Sequence, residues 1–160
     1  RVPLAVAAVL VAVIVTPSYT ALSEAFGFGG RTAVRQLLRA RVARVMSVGW
    51  IVVILVAAGG FLLARVFFSR GELSITDANQ IALTQAVYAL AIPPYVGGAL
   101  VTRALLAANR QRLQLVVGVL GALVNLLLNV GLGAAFGVNG IAVATALVYT
   151  ATFAWMLHIA

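Results

Sequence analysis

Long apolar runs dominate this chain, and polar residues collect between them. A helix needs about 20 mostly apolar residues to cross the hydrocarbon core of a bilayer. The pattern predicts five such helices: Pro3 to Leu22, Val45 to Phe68, Ala78 to Ala108, Leu113 to Phe136 and Asn139 to Ile159. A membrane β-barrel instead needs alternating segments of roughly ten residues. The expected fold class is therefore all-α, a polytopic transmembrane helix bundle.

The connecting segments add detail. Gly27, Gly29 and Gly30 are expected to break the first helix. From residue 31 to 44 a different period begins. Arg31, Arg35 and Arg39 recur every four residues, while Val34, Leu37, Leu38 and Val42 fill another face. That pattern predicts a short basic amphipathic helix lying in the cytoplasmic interface. Its arginines fit contact with anionic lipid or a phosphate-bearing substrate; they also fit a simple topology anchor. Pro93 and Pro94 stand midway along the third span, where missing backbone donors kink a helix. Such breaks serve as hinges in transporters and occur in static bundles too. Gly97-Gly98 comes at once after them and suits a bend or a close helix contact.

Composition narrows the class. Of 160 residues 64% are hydrophobic and 9% charged, against roughly 25% charged in soluble domains. An ordinary soluble enzyme and a disordered regulator are excluded. The chain has 11 basic residues, all arginine, against 3 acidic ones, a net charge of +8. Such an excess suggests nucleic acid in a soluble protein. Here it reports loops facing anionic headgroups, with membrane lipids and no nucleic acid as partners. Arg31, Arg35, Arg39, Arg41 and Arg44 crowd the first loop and Arg103, Arg110 and Arg112 the third. The second holds only Arg65 and Arg70, and the fourth, around Val138, holds none. The positive-inside rule then puts the start of the chain outside and its end in the cytoplasm. The odd span number, external start and lack of an initiator Met lead us to expect a piece of a longer membrane protein. With no cysteine and the single histidine His158, disulfides, thiolate sites and histidine metal clusters are excluded. No paired carboxylates or nucleophilic triad is present, and no enzyme is expected.

Polar residues inside the bilayer are costly and need partners. Asn125 and Asn129 lie four apart, on one face of the fourth span. With Val138 as the turn, Asn129 lies about 13 Å below it and Thr145 about 10 Å, at 1.5 Å per residue. Oxygens at similar depth suit a sodium ion, a hard cation. They also suit a hydrogen-bonded helix pair in which the amides cap each other.

The order of landmarks also resembles a known family. Pro3 and Pro17 precede Ser18-Tyr19-Thr20-Ala21-Leu22-Ser23 and a basic loop. Next stand Leu63-Ala64-Arg65-Val66-Phe67-Phe68-Ser69-Arg70-Gly71-Glu72-Leu73, Asp77 and Tyr88-Ala89-Leu90-Ala91-Ile92-Pro93. Then come Arg103-Ala104-Leu105-Leu106-Ala107-Ala108-Asn109-Arg110, Val124-Asn125-Leu126-Leu127-Leu128-Asn129 and Gly137-Val138-Asn139-Gly140-Ile141-Ala142. Over nearly its whole length the chain resembles spans eight to twelve of the lipid II flippases, the MurJ (MviN) family of the MOP superfamily.

The resemblance implies one partial transporter lobe over residues 1–160, in the bacterial inner membrane, working with the remainder of the same polypeptide. It implies alternating-access translocation of an undecaprenyl-pyrophosphate-linked peptidoglycan precursor, a lipid-linked oligosaccharide. It further implies candidate sodium ligands at Asn125, Asn129, Ile141 and Thr145, with a neutral Asn129 where the family pattern carries a carboxylate. The competing expectations are another MOP-type transporter, either a polysaccharide-lipid flippase or a drug/cation antiporter, and a non-transporting scaffold built on the same fold.

Overall fold

A computed structural model describes residues 2–67 and 75–160, less the side chains of 19, 26, 28–33, 64, 65, 67 and 75. Arg31, a candidate phosphate contact, thus has its side chain outside the described residues. All described elements are helical. They are α1 (Val2–Leu10), a wider π-turn (Val11–Val15), α2 (Ser18–Phe67), α3 (Ile75–Ala89), α4 (Ile92–Ala107) and α5 (Gln111–Ile159).

Each interruption has a local chemical cause. Pro17 has no N–H to continue the ladder, and its ring would clash with a carbonyl one turn back. The chain widens before it: the Thr16 N–H donates to Val11 O at 3.1 Å, five residues back. The Ser18 hydroxyl then donates to Ile14 O at 2.9 Å and satisfies a carbonyl the break would orphan. The first apolar run is therefore split, with Leu22 on α2 rather than at the end of one continuous span.

Residues 27–44 are helical within α2, and Ala7, Val15 and Leu22 share one buried cluster with Val34, Leu38 and Val42. Residues beyond Gly30 favour helix. Arg, Gln, Leu, Ala and Met are strong helix formers, and no proline stops them before Phe67. The stretch Val34–Leu63 is itself long and apolar enough to cross a membrane.

The third apolar run breaks at Leu90-Ala91. Those two N–H groups donate to Val87 O and Tyr88 O, three residues back, at 3.2 and 3.1 Å. Pro93 and Pro94 then occupy the first turn of α4, where a missing N–H leaves nothing unpaired. The run Thr76–Ala107 remains long and apolar enough to span.

The last 49 helical residues, Gln111–Ile159, fold back on themselves at Gly137, whose φ is 60° and ψ −140°. That backbone region is accessible essentially to glycine alone. Contacts confirm the reversal. A Cβ on Gly121 would lie 2.8 Å from Thr152 Cγ2, whereas a straight helix would separate these positions by about 46 Å. The turn is thus Gly137, one residue before the expected Val138, because only the residue without a Cβ takes this conformation.

At the centre sits α4. Ile92, Val96, Leu100, Val101, Ala104 and Leu105 are all buried, packed against Val34, Leu38, Val42, Val45 and Val53 of α2 and Phe153 of α5. Small residues bring the helices close: a Cβ on Gly49 would sit 3.0 Å from Pro93 Cα, and one on Gly97 2.8 Å from Phe153 Cε2. Close backbone approach through glycine is how helices associate where lipid offers no hydrophobic drive between them. By contrast, Leu115, Leu126, Leu127 and Val130 on the first arm of α5 are exposed, as suits a surface bathed in acyl chains.

Candidate functional site

The hairpin of α5 sets the register of its polar residues. Its arms cross most tightly beside the turn, where Gly140 lies against the backbone of Leu132 and a Cβ on Gly133 would meet Ile141 Cγ1 at 3.3 Å. One helical turn further from Gly137 come Asn129 on the first arm and Thr145 on the second. Since residues four apart share a face, the two stand at one level on facing sides.

Local bonds pair the four candidate oxygens two by two. Asn129 Nδ2 donates to Asn125 Oδ1. The Thr145 hydroxyl donates to Ile141 O at 2.9 Å. The described hydrogen bonds do not join one pair to the other. Asn129 Oδ1 is buried and has no hydrogen-bond partner. An orphaned buried carbonyl oxygen is costly and calls for a donor or a cation. These oxygens suit a hard monovalent cation in kind. None of them carries a negative charge.

Beside the asparagine pair opens a cavity of about 600 Å³ between α4 and both arms of α5. Its polar lining comes from Tyr95, Thr102, Gln114, Asn125, Tyr149 and Thr152. Gly98, Gly118 and Gly121 line it as well and keep its walls thin. The Tyr95 and Tyr149 rings meet edge to face with centroids 5.2 Å apart and planes at 80°, a favoured aromatic geometry. Tyr95 and Tyr149 stand out little in the sequence, because one tyrosine in a long apolar helix reads as packing. The Tyr149–Thr152 and Gly98–Thr102 spacings, which put pairs of lining residues on one face, were the available signal.

Other polar groups fasten the elements. Thr84 Oγ1 of α3 is 2.6 Å from Asn139 Oδ1, just past the α5 turn. Arg110 Nη1 donates to Ile159 O at 2.9 Å and ties the entry of α5 to its end. Thr102 Oγ1 approaches Met156 Sδ at 3.8 Å. Pro93 and Pro94 are buried at the head of α4, where they break the helix beside the cavity wall formed by Pro94 and Tyr95. Arg35 and Arg39 lie at the opposite end of α4, against the last turn of α5, remote from the asparagines.

Residues 1–159 match the protein family described as lipid II flippase MurJ. Neither the curated proteins nor the solved structures provide a significant match.

Proposed function

Since the chain belongs to the lipid II flippase MurJ family, a family of membrane transporters in peptidoglycan biosynthesis, we propose that it supplies part of one lobe of such a flippase. The lobe helps move an undecaprenyl-pyrophosphate-linked precursor across the bacterial inner membrane by alternating access, together with the remainder of its polypeptide. The family match over residues 1–159 carries this reading. The start of the chain faces outward and its end the cytoplasm, a reading supported by the gathering of Arg35, Arg39, Arg110 and His158 at one end of the bundle.

Breaks in the helices suit that work. The turn at Leu90-Ala91 and the prolines behind it give α3 and α4 a joint where few backbone bonds must be lost to bend. Pro93 and Pro94 act there as the hinge, and the neighbouring cavity gives the bend room.

Asn125 and Asn129 side-chain oxygens, Ile141 O and Thr145 Oγ1 form a weak sodium site. Bound sodium supplies a positive charge that holds the two arms of α5 together. The orphaned Asn129 Oδ1 supports this assignment.

The deciding experiment is depletion of the host's own lipid II flippase in cells carrying the full-length gene. Rescue of growth and cell shape is expected. A well-expressed protein that fails to rescue overturns the lipid II assignment in favour of another lipid-linked sugar, a drug/cation antiporter or a non-transporting scaffold.

A further inference from the structure

At the basic end of the bundle a second, smaller cavity of about 310 Å³ lies between α2 and the last turn of α5. Arg35, Leu38, Arg39, Leu157, His158 and Ala160 line it. Two arginines one turn apart on α2 thus meet the chain's single histidine, more than a hundred positions away in sequence. No carboxylate is among the lining residues. Ile159 O at the end of α5 accepts from Arg110, and no described hydrogen bond engages Arg35 or Arg39 with that helix end.

Placement and chemistry together define the ligand. Leu38 is buried and fixes the face of α2 from which Arg35 and Arg39 project. Both arginines are exposed, as is His158. Leu38 and Leu157 give the floor an apolar character. A guanidinium fork recognises phosphate oxygens in a bidentate geometry, and the imidazole adds a third donor. The site stands beside the last turn of α5 at the basic end of the bundle, where a lipid headgroup would meet the bilayer surface. Arg44 is exposed too, but nine residues from Arg35 places it on the opposite face of the helix.

We propose that Arg35, Arg39 and His158 form a binding site for the phosphate of an anionic phospholipid of the cytoplasmic leaflet. The apolar floor takes the first part of an acyl chain, and the three donors take the headgroup. The bound lipid joins α2 to the end of α5, two segments that the fold otherwise holds together mainly through α4. This assignment is independent of the translocated substrate and stands even if that substrate is not lipid II.

The test uses the full-length protein in nanodiscs of phosphatidylcholine with and without phosphatidylglycerol, reading bound lipid by native mass spectrometry and thermal stability alongside. The wild type is expected to retain phosphatidylglycerol selectively and to melt higher with it. R35Q/R39Q is expected to weaken that retention on the order of tenfold, since each arginine near an anionic surface adds several-fold. H158Q should weaken it less, and R44Q should leave it unchanged. R35K/R39K keeps the charge and loses the fork, so partial retention is expected and guards against a misfolded double variant. Equal loss in R44Q overturns the proposal, because it means diffuse attraction rather than a site. Unchanged retention in R35Q/R39Q overturns it as well. Displacement of the lipid by millimolar inorganic phosphate would assign the site to free phosphate and overturn the lipid.

Discussion

Gly97 of α4 sits so close to Phe153 of α5 that a Cβ at position 97 would lie 2.8 Å from ring carbon Cε2. The contact joins the buried central helix to the second arm of the hairpin, one turn below the Tyr95–Tyr149 pair. Gly97→Ala therefore forces the ring or the helix aside, a cost of about 1–3 kcal/mol for overpacking. A lower midpoint of thermal unfolding in detergent is expected. Adding Phe153→Leu should recover part of the loss. A Gly97→Ala protein as stable as the wild type would mean that the two helices are not in contact there.

The α5 hairpin depends on two glycines for different reasons. Gly140 abuts the Leu132 carbonyl, which is backbone and cannot rotate away. Gly137 has open space around its Cβ position but a φ of 60°. Gly140→Ala is expected to push the arms apart and abolish stable expression. Gly137→Ala should cost about 1–3 kcal/mol through backbone strain alone. Gly131→Ala, with nothing within 4 Å, is the neutral control. Fluorescence-detected size exclusion ranks the three variants. The opposite order would remove the hairpin.

Thr84 and Asn139 are 55 positions apart and joined side chain to side chain at 2.6 Å. The chain has no cysteine, so T84C/N139C introduces a clean pair. Mild oxidation should produce an intramolecular disulfide, read as a reducible shift in electrophoretic mobility. Q80C/N139C, one turn away on α3, should cross-link more slowly. Absence of the first cross-link in folded protein would separate α3 from the α5 turn.

Asn129 supplies a neutral oxygen where a carboxylate would give a cation site its counter-charge. Asn129→Asp adds that charge beside Asn125. Sodium affinity is expected to rise on the order of tenfold, because ligand charge count tunes such sites. The readout is the rise in melting temperature as sodium replaces choline, since a ligand bound only to the folded state stabilises by mass action. Asn129→Ala should remove the wild-type response. Sodium-independent melting of all three proteins would leave the asparagines as a hydrogen-bonded helix pair.

Much was legible in the linear sequence because membranes impose simple rules. A bilayer demands continuous apolar helices, so hydropathy alone fixed an all-α bundle and excluded a soluble enzyme. The landmark order pointed to the family that the match over residues 1–159 bears out. The Asn125 and Asn129 spacing placed both amides on one face, and they do bond. Tertiary structure decided what spacing cannot. Ala7, Val15 and Leu22 came into one buried cluster with Val34, Leu38 and Val42 of α2. Pro17 and Pro93-Pro94 turned two nominal spans into broken ones, because a missing N–H needs a local substitute whose form depends on neighbours. Tyr95, Tyr149 and Thr152 met around one cavity only because Gly98 and Gly121 let α4 and α5 approach. His158 stands alone in the sequence as its single histidine, and the return of α5 brings it to Arg35 and Arg39. Composition and period report what each segment must do in lipid. Which side chains meet depends on where backbones come close, and that is set by a few glycines and prolines whose partners lie far away in the chain.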